Sequence, residues 1–188
     1  MNIPNALTLL RICLIPVLVV VFYLPFANHL VVAAGVFAAA AVTDWFDGYL
    51  ARRLGQTTAF GAFLDPVADK LMVAVALVLL VERHDTQLLT LAACVIIGRE
   101  IVVSALREWM AELGERTSVA VSYVGKVKTA FQMVAITALL AINPDLDAGW
   151  LLALSYVVLY VAAVLTLWSM FIYLQAAWAV MKERDNSF

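Results

Sequence analysis

Leu30-Val31-Val32-Ala33-Ala34-Gly35-Val36-Phe37-Ala38-Ala39-Ala40-Ala41-Val42-Thr43-Asp44-Trp45-Phe46-Asp47-Gly48 decides how the rest of the chain is read. An apolar run long enough for most of a bilayer crossing ends on two aspartates. A bilayer core takes about 20 apolar residues per helix. The same pattern recurs along the chain, giving six spans: Leu7–Leu24, Leu30–Leu50, Phe60–Val81, Leu88–Met110, Val124–Ile142 and Trp150–Met181. Turn signals separate them: Pro25 with Asn28, Gly55, the polar stretch Glu82–Gln87, Gly114, and Asn143-Pro144-Asp145.

Composition agrees. Of 188 residues, 65% are apolar and 14% charged, and the mean hydropathy is +0.97. Soluble domains are about half apolar and about a quarter charged. A water-soluble globule, a disordered chain and a coiled coil are therefore excluded. The expected fold is all-α, a polytopic membrane protein with six transmembrane helices in one integral-membrane catalytic domain, 1–188. The net charge of −2 points to no class of partner. Cys13 and Cys94 lie in apolar runs and read as small core residues, with no disulfide framework. Arg11 interrupts what would be the apolar region of a signal peptide, so the first span reads as an uncleaved anchor.

Lys and Arg set the orientation. Arg11, Arg52, Arg53, Arg107, Arg116, Lys126, Lys128, Lys182 and Arg184 fall on one side; the other holds Arg83 beside Glu82 and Asp85, then Asp145 and Asp147. The basic side is expected to be cytoplasmic, with both termini there.

Charge inside a membrane helix is costly, so the carboxylates at the ends of spans two and three are the informative residues. At 100° per residue, Asp44, Asp47, Gly48 and Ala51 share one helical stripe. Gly61, Asp65 and Asp69, spaced by four, share another. A short loop joins the two helices, so four carboxylates can converge. Their repulsion can be relieved by protons or by hard divalent cations such as Mg²⁺, Mn²⁺ or Ca²⁺. Small residues at 48, 51 and 61 leave room over the cations for a bulky anion, and a diphosphate is the natural partner. Arg52 adds positive charge beside it. Structural alternatives stand next to this reading. Asp65 before Pro66 can be a helix N-cap, Gly48 and Gly61 can be packing notches, Lys70 can pair with Asp69, and Arg52 and Arg53 can be topology markers.

The pattern Asp44-x2-Asp47-Gly48-x2-Ala51-Arg52-x8-Gly61-x3-Asp65-x3-Asp69 resembles the signature of the CDP-alcohol phosphatidyltransferase family, with every signature position filled. The resemblance implies a six-helix fold, two Mg²⁺ or Mn²⁺ ions held by Asp44, Asp47, Asp65 and Asp69, and CMP as leaving group. It also implies Asp69 as the base that deprotonates the acceptor alcohol, with Gly48, Ala51, Arg52 and Gly61 against the cytidine diphosphate of CDP-diacylglycerol. A homodimer and a bacterial cytoplasmic membrane follow from the same resemblance.

A second polar cluster bears on the acceptor. Arg99, Arg107, Lys126 and Lys128 flank the same half of the chain. A phosphorylated acceptor such as glycerol 3-phosphate needs such cations; serine or inositol needs them less. Arg107 and Lys126 can also be plain anchors, whereas Arg99 lies deeper in an apolar span, where a functional or ion-paired role is the default. Ile3 through Arg11, Gly98 through Gly114, and Ser118 through Thr129 resemble the branch of the family that uses glycerol 3-phosphate. Two rivals remain at this point. One is the same chemistry with serine, inositol phosphate or phosphatidylglycerol as acceptor. The other is an ion-coupled transporter, against which the absence of an internal repeat weighs.

Overall fold

Asn28, Asp85 and Gly114 take left-handed backbone conformations (φ 64°, 42° and 85°), each just outside a helix. These residue types reach that region at little steric cost. Gly114 follows the last turn of a helix and donates its N–H to the Ala111 carbonyl at 3.2 Å, a helix-ending geometry that glycine favours. In a computed structural model these breaks separate six helices: α1 (Ile3–Tyr23), α2 (His29–Leu54), α3 (Ala59–His84), α4 (Gln87–Glu112), α5 (Tyr123–Ala141) and α6 (Trp150–Asp185). The structure describes the backbone of residues 3–54, 59–114, 123–144 and 149–185, and the side chains of 5–44, 61, 63–114, 128–144, 149–178 and 181–182. Among the described residues there are no strands.

Contacts at the two ends show that the helices alternate in direction. At one end, Tyr23 of α1 donates to Glu82 of α3, Arg83 of α3 donates to Asn143 after α5 at 2.8 Å, and a His84 ring nitrogen lies 2.6 Å from the Tyr156 hydroxyl of α6. At the other end, the start of α1 meets the end of α2 and the start of α3, while α4 meets α5 and α6. The main core holds Leu18, Phe37, Leu77, Leu80, Leu89, Ile96, Ile136 and Leu139, all buried. Many interior positions are small, among them Ala33, Ala40, Ala76, Ala93, Ala135 and Ala163. Small side chains let helix backbones approach, which is how helices pack in lipid. The outward faces carry Val31, Leu91, Ile101, Val134, Val164, Trp168, Phe171 and other large apolar groups. Such an apolar exterior belongs against hydrocarbon.

Among the described residues, Asn5–Tyr23, Gln87–Glu112 and Trp150–Trp178 are long and apolar enough to cross a membrane; His29–Asp44 and Lys128–Ala141 are shorter apolar stretches. α2 carries Asp44 and Asp47 in its second half, and α3 carries Asp65, Asp69 and Lys70 in its first. The protein is a polytopic helical membrane protein, with the buried Arg11, Arg99 and Lys128 gathered toward one end of the bundle.

Three readings need correction. Cys13 and Cys94 are free, as expected, but exposed on the outer face rather than in the core. Asp65 is not an N-cap, because α3 begins at Ala59 and both Asp65 and Pro66 lie inside it. The polar stretch Glu82–Gln87 is mostly helix, and only Asp85 and Thr86 separate α3 from α4. As expected, α2 and α3 run antiparallel and touch; among the described residues each packs more against α1 than against the other.

Candidate active site

Arg11 is the joint between α2 and α3. It is 2% exposed. Its Nη1 lies 2.7 Å from Asp44 Oδ1 and 2.5 Å from Asp69 Oδ1, and its Nη2 lies 3.6 Å from Asp65 Oδ1. Thr8, one turn earlier on the same face of α1, donates its hydroxyl to Asp65. The three carboxylates are far more open, 41% for Asp44, 43% for Asp65 and 40% for Asp69. The guanidinium therefore lies behind them and their outer sides face open space. A small cavity lined by Arg11, Asp44 and Asp69 also takes in Phe37, Met72 and Met133. Its apolar wall strengthens every charge interaction at the site.

Of the expected metal ligands, Asp44, Asp65 and Asp69 are brought together. The side chains of Asp47, Gly48, Ala51 and Arg52 lie outside the described residues, though all four belong to α2. Gly61 is buried one turn before Asp65. Among the described residues no three His, Cys, Asp or Glu side chains close around one point as a ready-made cage; what the carboxylates converge on is Arg11. The donor set nonetheless fits a hard cation. It is all oxygen, partly open and already arranged around a positive charge. Mg²⁺ is commonly held by one or two carboxylates plus substrate phosphates rather than by a closed protein cage.

A second cluster is cationic. Arg99 is 8% exposed and Lys128 is 1% exposed. Arg99 Nη1 donates to Glu100 Oε1 at 2.7 Å, and Nη2 donates to Ser169 Oγ at 3.2 Å. Lys128 Nζ lies 3.7 Å from Glu100 Oε1, too long for a hydrogen bond, and neither Lys128 Nζ nor Arg99 Nε has a hydrogen-bond partner. Arg107 donates to the Tyr173 hydroxyl at 3.2 Å and stacks over its ring, and Arg99 faces the same ring. Arg99 and Lys128 thus share the Glu100 carboxylate, and Arg107 joins them through the Tyr173 ring. Lys126 is on α5, with its side chain outside the described residues. The two clusters adjoin through α5. Met133 of the aspartate cavity comes five residues after Lys128, about 7.5 Å along the helix.

Residues 1–178 match the sequence model of the CDP-alcohol phosphatidyltransferase family. The chain belongs to that family. Two relatives carry the same descriptive name, CDP-diacylglycerol–glycerol-3-phosphate 3-phosphatidyltransferase. The one from Yersinia pestis (strain Pestoides F) is 58% identical over 183 residues, 97% of this chain and 98% of that one. The one from Salmonella choleraesuis (strain SC-B67) is 60% identical over 176 residues, 94% of each. Membership makes the protein a phosphatidyltransferase. Four contributors were not anticipated: Arg11 and Thr8 on α1, and Ser169 and Tyr173 on α6. Arg11 was read as a basic-side marker, an interruption of a signal-like apolar run and the end of a resembling stretch, but not as a site residue, although a charge inside an apolar span is itself a functional signal. Ser169 and Tyr173 are spaced by four in a mostly apolar helix, which was the legible sign of a shared polar face.

Proposed function

We propose that the protein transfers the phosphatidyl group of CDP-diacylglycerol to sn-glycerol 3-phosphate, giving phosphatidylglycerophosphate and CMP. The observation that carries the choice of acceptor is the charge imbalance around Glu100. Arg99 and Lys128 exceed it by one positive charge, Arg107 adds another beside the shared Tyr173 ring, and the Lys128 ammonium is buried without a hydrogen bond. A buried ammonium with no hydrogen bond is expensive, and a phosphate dianion supplies acceptor oxygens together with negative charge. The names of the Yersinia and Salmonella relatives support the same acceptor.

The reaction is read as follows. Divalent cations bound by Asp44, Asp47, Asp65 and Asp69 would polarise the diphosphate and ease departure of CMP. The glycerol hydroxyl oxygen forms its bond to the β-phosphorus as the bond from that phosphorus to the bridging oxygen of CMP breaks. Asp69 takes the hydroxyl proton. Gly48, Ala51, Arg52 and Gly61 face the cytidine diphosphate. Arg99, Arg107, Lys126 and Lys128 hold the acceptor phosphate and so orient its hydroxyl. The lipid enters from the bilayer and the soluble acceptor from the cytoplasm, where the site and both termini lie. The whole chain, 1–188, acts as one catalytic domain, as a homodimer in a bacterial cytoplasmic membrane.

Purified protein in detergent should release CMP from CDP-diacylglycerol only when glycerol 3-phosphate is added. Equal release with serine, inositol phosphate or phosphatidylglycerol would overturn the acceptor, and no release with any alcohol would overturn the reaction. A finer expectation concerns KM. A hydrogen bond to a charged group contributes about 1.5–3 kcal/mol, so Arg99→Ala and Lys128→Ala should each raise the KM for glycerol 3-phosphate about tenfold or more. The KM for CDP-diacylglycerol should barely move. Steady-state kinetics with both substrates varied checks this, and normal acceptor KM in both variants would remove the cationic cluster from the acceptor site.

A further inference from the structure

The ion pairs of Arg11 are unequal in an informative way. One positive charge faces three carboxylates drawn from two helices, and it is the buried member of each pair. A single guanidinium leaves two of those three negative charges unbalanced. It also holds the oxygens that an incoming cation would need. Resting on the metal-binding part of the reading above, we propose that Arg11 is a resident counter-cation of the aspartate site. It keeps Asp44, Asp65 and Asp69 together while no divalent cation is bound. It then competes with the cation for their oxygens, so the site binds divalent ions more weakly than its carboxylates alone would.

The chemistry favours arginine in both parts of this role. The guanidinium is always charged and its planar fork reaches several carboxylates at once. At Nη1 it serves Asp44 of α2 and Asp69 of α3 together, so it links the two helices directly. Thr8 supports the same grouping by donating to Asp65 from the preceding turn. A merely structural Arg11 makes a different forecast. Its loss would scatter the carboxylates and weaken cation binding, whereas loss of a competitor strengthens it.

The test uses the full chain in detergent and reads metal binding rather than turnover. Free Mn²⁺ is followed by electron paramagnetic resonance, and thermal unfolding is recorded in EDTA and in excess Mn²⁺. Arg11→Met keeps the length and removes the charge. It should bind Mn²⁺ at least about tenfold more tightly, melt at a lower temperature than the native chain in EDTA, and gain more from Mn²⁺. Arg11→Lys should stay near the native affinity. Unchanged or weaker Mn²⁺ binding by folded Arg11→Met would overturn the proposal. If Arg11→Met does not fold, the native chain decides. Its ¹⁵N-arginine side-chain resonances, with that of Arg11 assigned by its loss in Arg11→Lys, should be protected from exchange in EDTA and should shift on adding Mg²⁺. An Arg11 signal indifferent to saturating Mg²⁺ would equally overturn it. Failure of CMP release in the native chain would bear on the proposed reaction alone, because neither readout depends on turnover.

Discussion

Turnover by the Asp69→Asn variant is expected to fall at least about 100-fold, the lower range for a lost general base. Asparagine matches aspartate in shape and keeps one carbonyl oxygen. It can still accept from Arg11, which meets Asp69 at 2.5 Å, and can still offer an oxygen to a cation. What it loses is the ability to take a proton from the acceptor hydroxyl. Asp69 is 40% exposed while Arg11 behind it is 2% exposed, so a hydroxyl can approach the carboxylate from the open side. The contrast with Asp44→Asn separates the roles. Asp44 is proposed only as a ligand, so its loss should damage CDP-diacylglycerol binding more than Asp69→Asn does. Single-turnover rates measured beside donor affinity check both statements. Near-normal turnover by Asp69→Asn would remove it as the base.

The helices were legible because a bilayer demands long apolar runs and their interruptions are few. Span two was read from Leu30 and α2 begins at His29; span six was read from Trp150 and α6 begins there. The polar stretch after span three was misread for a local reason. Glu82, Arg83 and His84 look like loop residues in isolation, but each finds a partner elsewhere in the bundle, Tyr23 of α1, Asn143 after α5 and Tyr156 of α6, and the helix continues through them. Facing was less legible. In a membrane helix both the packed and the lipid sides are apolar, so hydrophobicity alone does not tell them apart. Cys13 and Cys94 were assigned inward for that reason and lie outward. The alanines carried better information, since small side chains mark close helix contacts.

Local spacing made the three described aspartates legible, because four residues along a helix bring a side chain back to the same face. Their shared partner was not legible, since Arg11 is 33 positions from Asp44 and 58 from Asp69. No periodicity along one helix reports a contact of that range. The acceptor cluster shows the same division. Arg99 was singled out by its depth in an apolar span. That Glu100 turns toward it, that Lys128 lies on the far side of Glu100, and that α6 adds Ser169 and Tyr173 are facts of helix packing.

Chelation is the other change expected to have a large effect: excess EDTA should abolish turnover, and Mg²⁺ or Mn²⁺ should restore it. The argument is electrostatic. Asp44, Asp65 and Asp69 share one guanidinium, which leaves the described part of the site two charges negative before Asp47 is counted. The proposed donor brings a negatively charged diphosphate to the open side of these carboxylates. Like charges about 4 Å apart repel by about 4 kcal/mol at the dielectric typical of a protein surface, and several such pairs would form at once. Arg11 does not relieve them, being behind the carboxylates and already committed to three. The cations of the second cluster are partly taken by Glu100 and are assigned to the other substrate. Divalent cations between carboxylates and diphosphate turn the same geometry from repulsive to attractive, which is why the requirement should be absolute rather than graded. CMP release measured through an EDTA titration and a Mg²⁺ or Mn²⁺ add-back checks it. In Arg99→Ala the requirement should persist, because that substitution leaves the aspartates untouched. Full turnover in excess chelator would mean that the carboxylates are balanced by protons or by Arg11 and Arg52 alone, and the two-cation reading of Asp44, Asp47, Asp65 and Asp69 would fall.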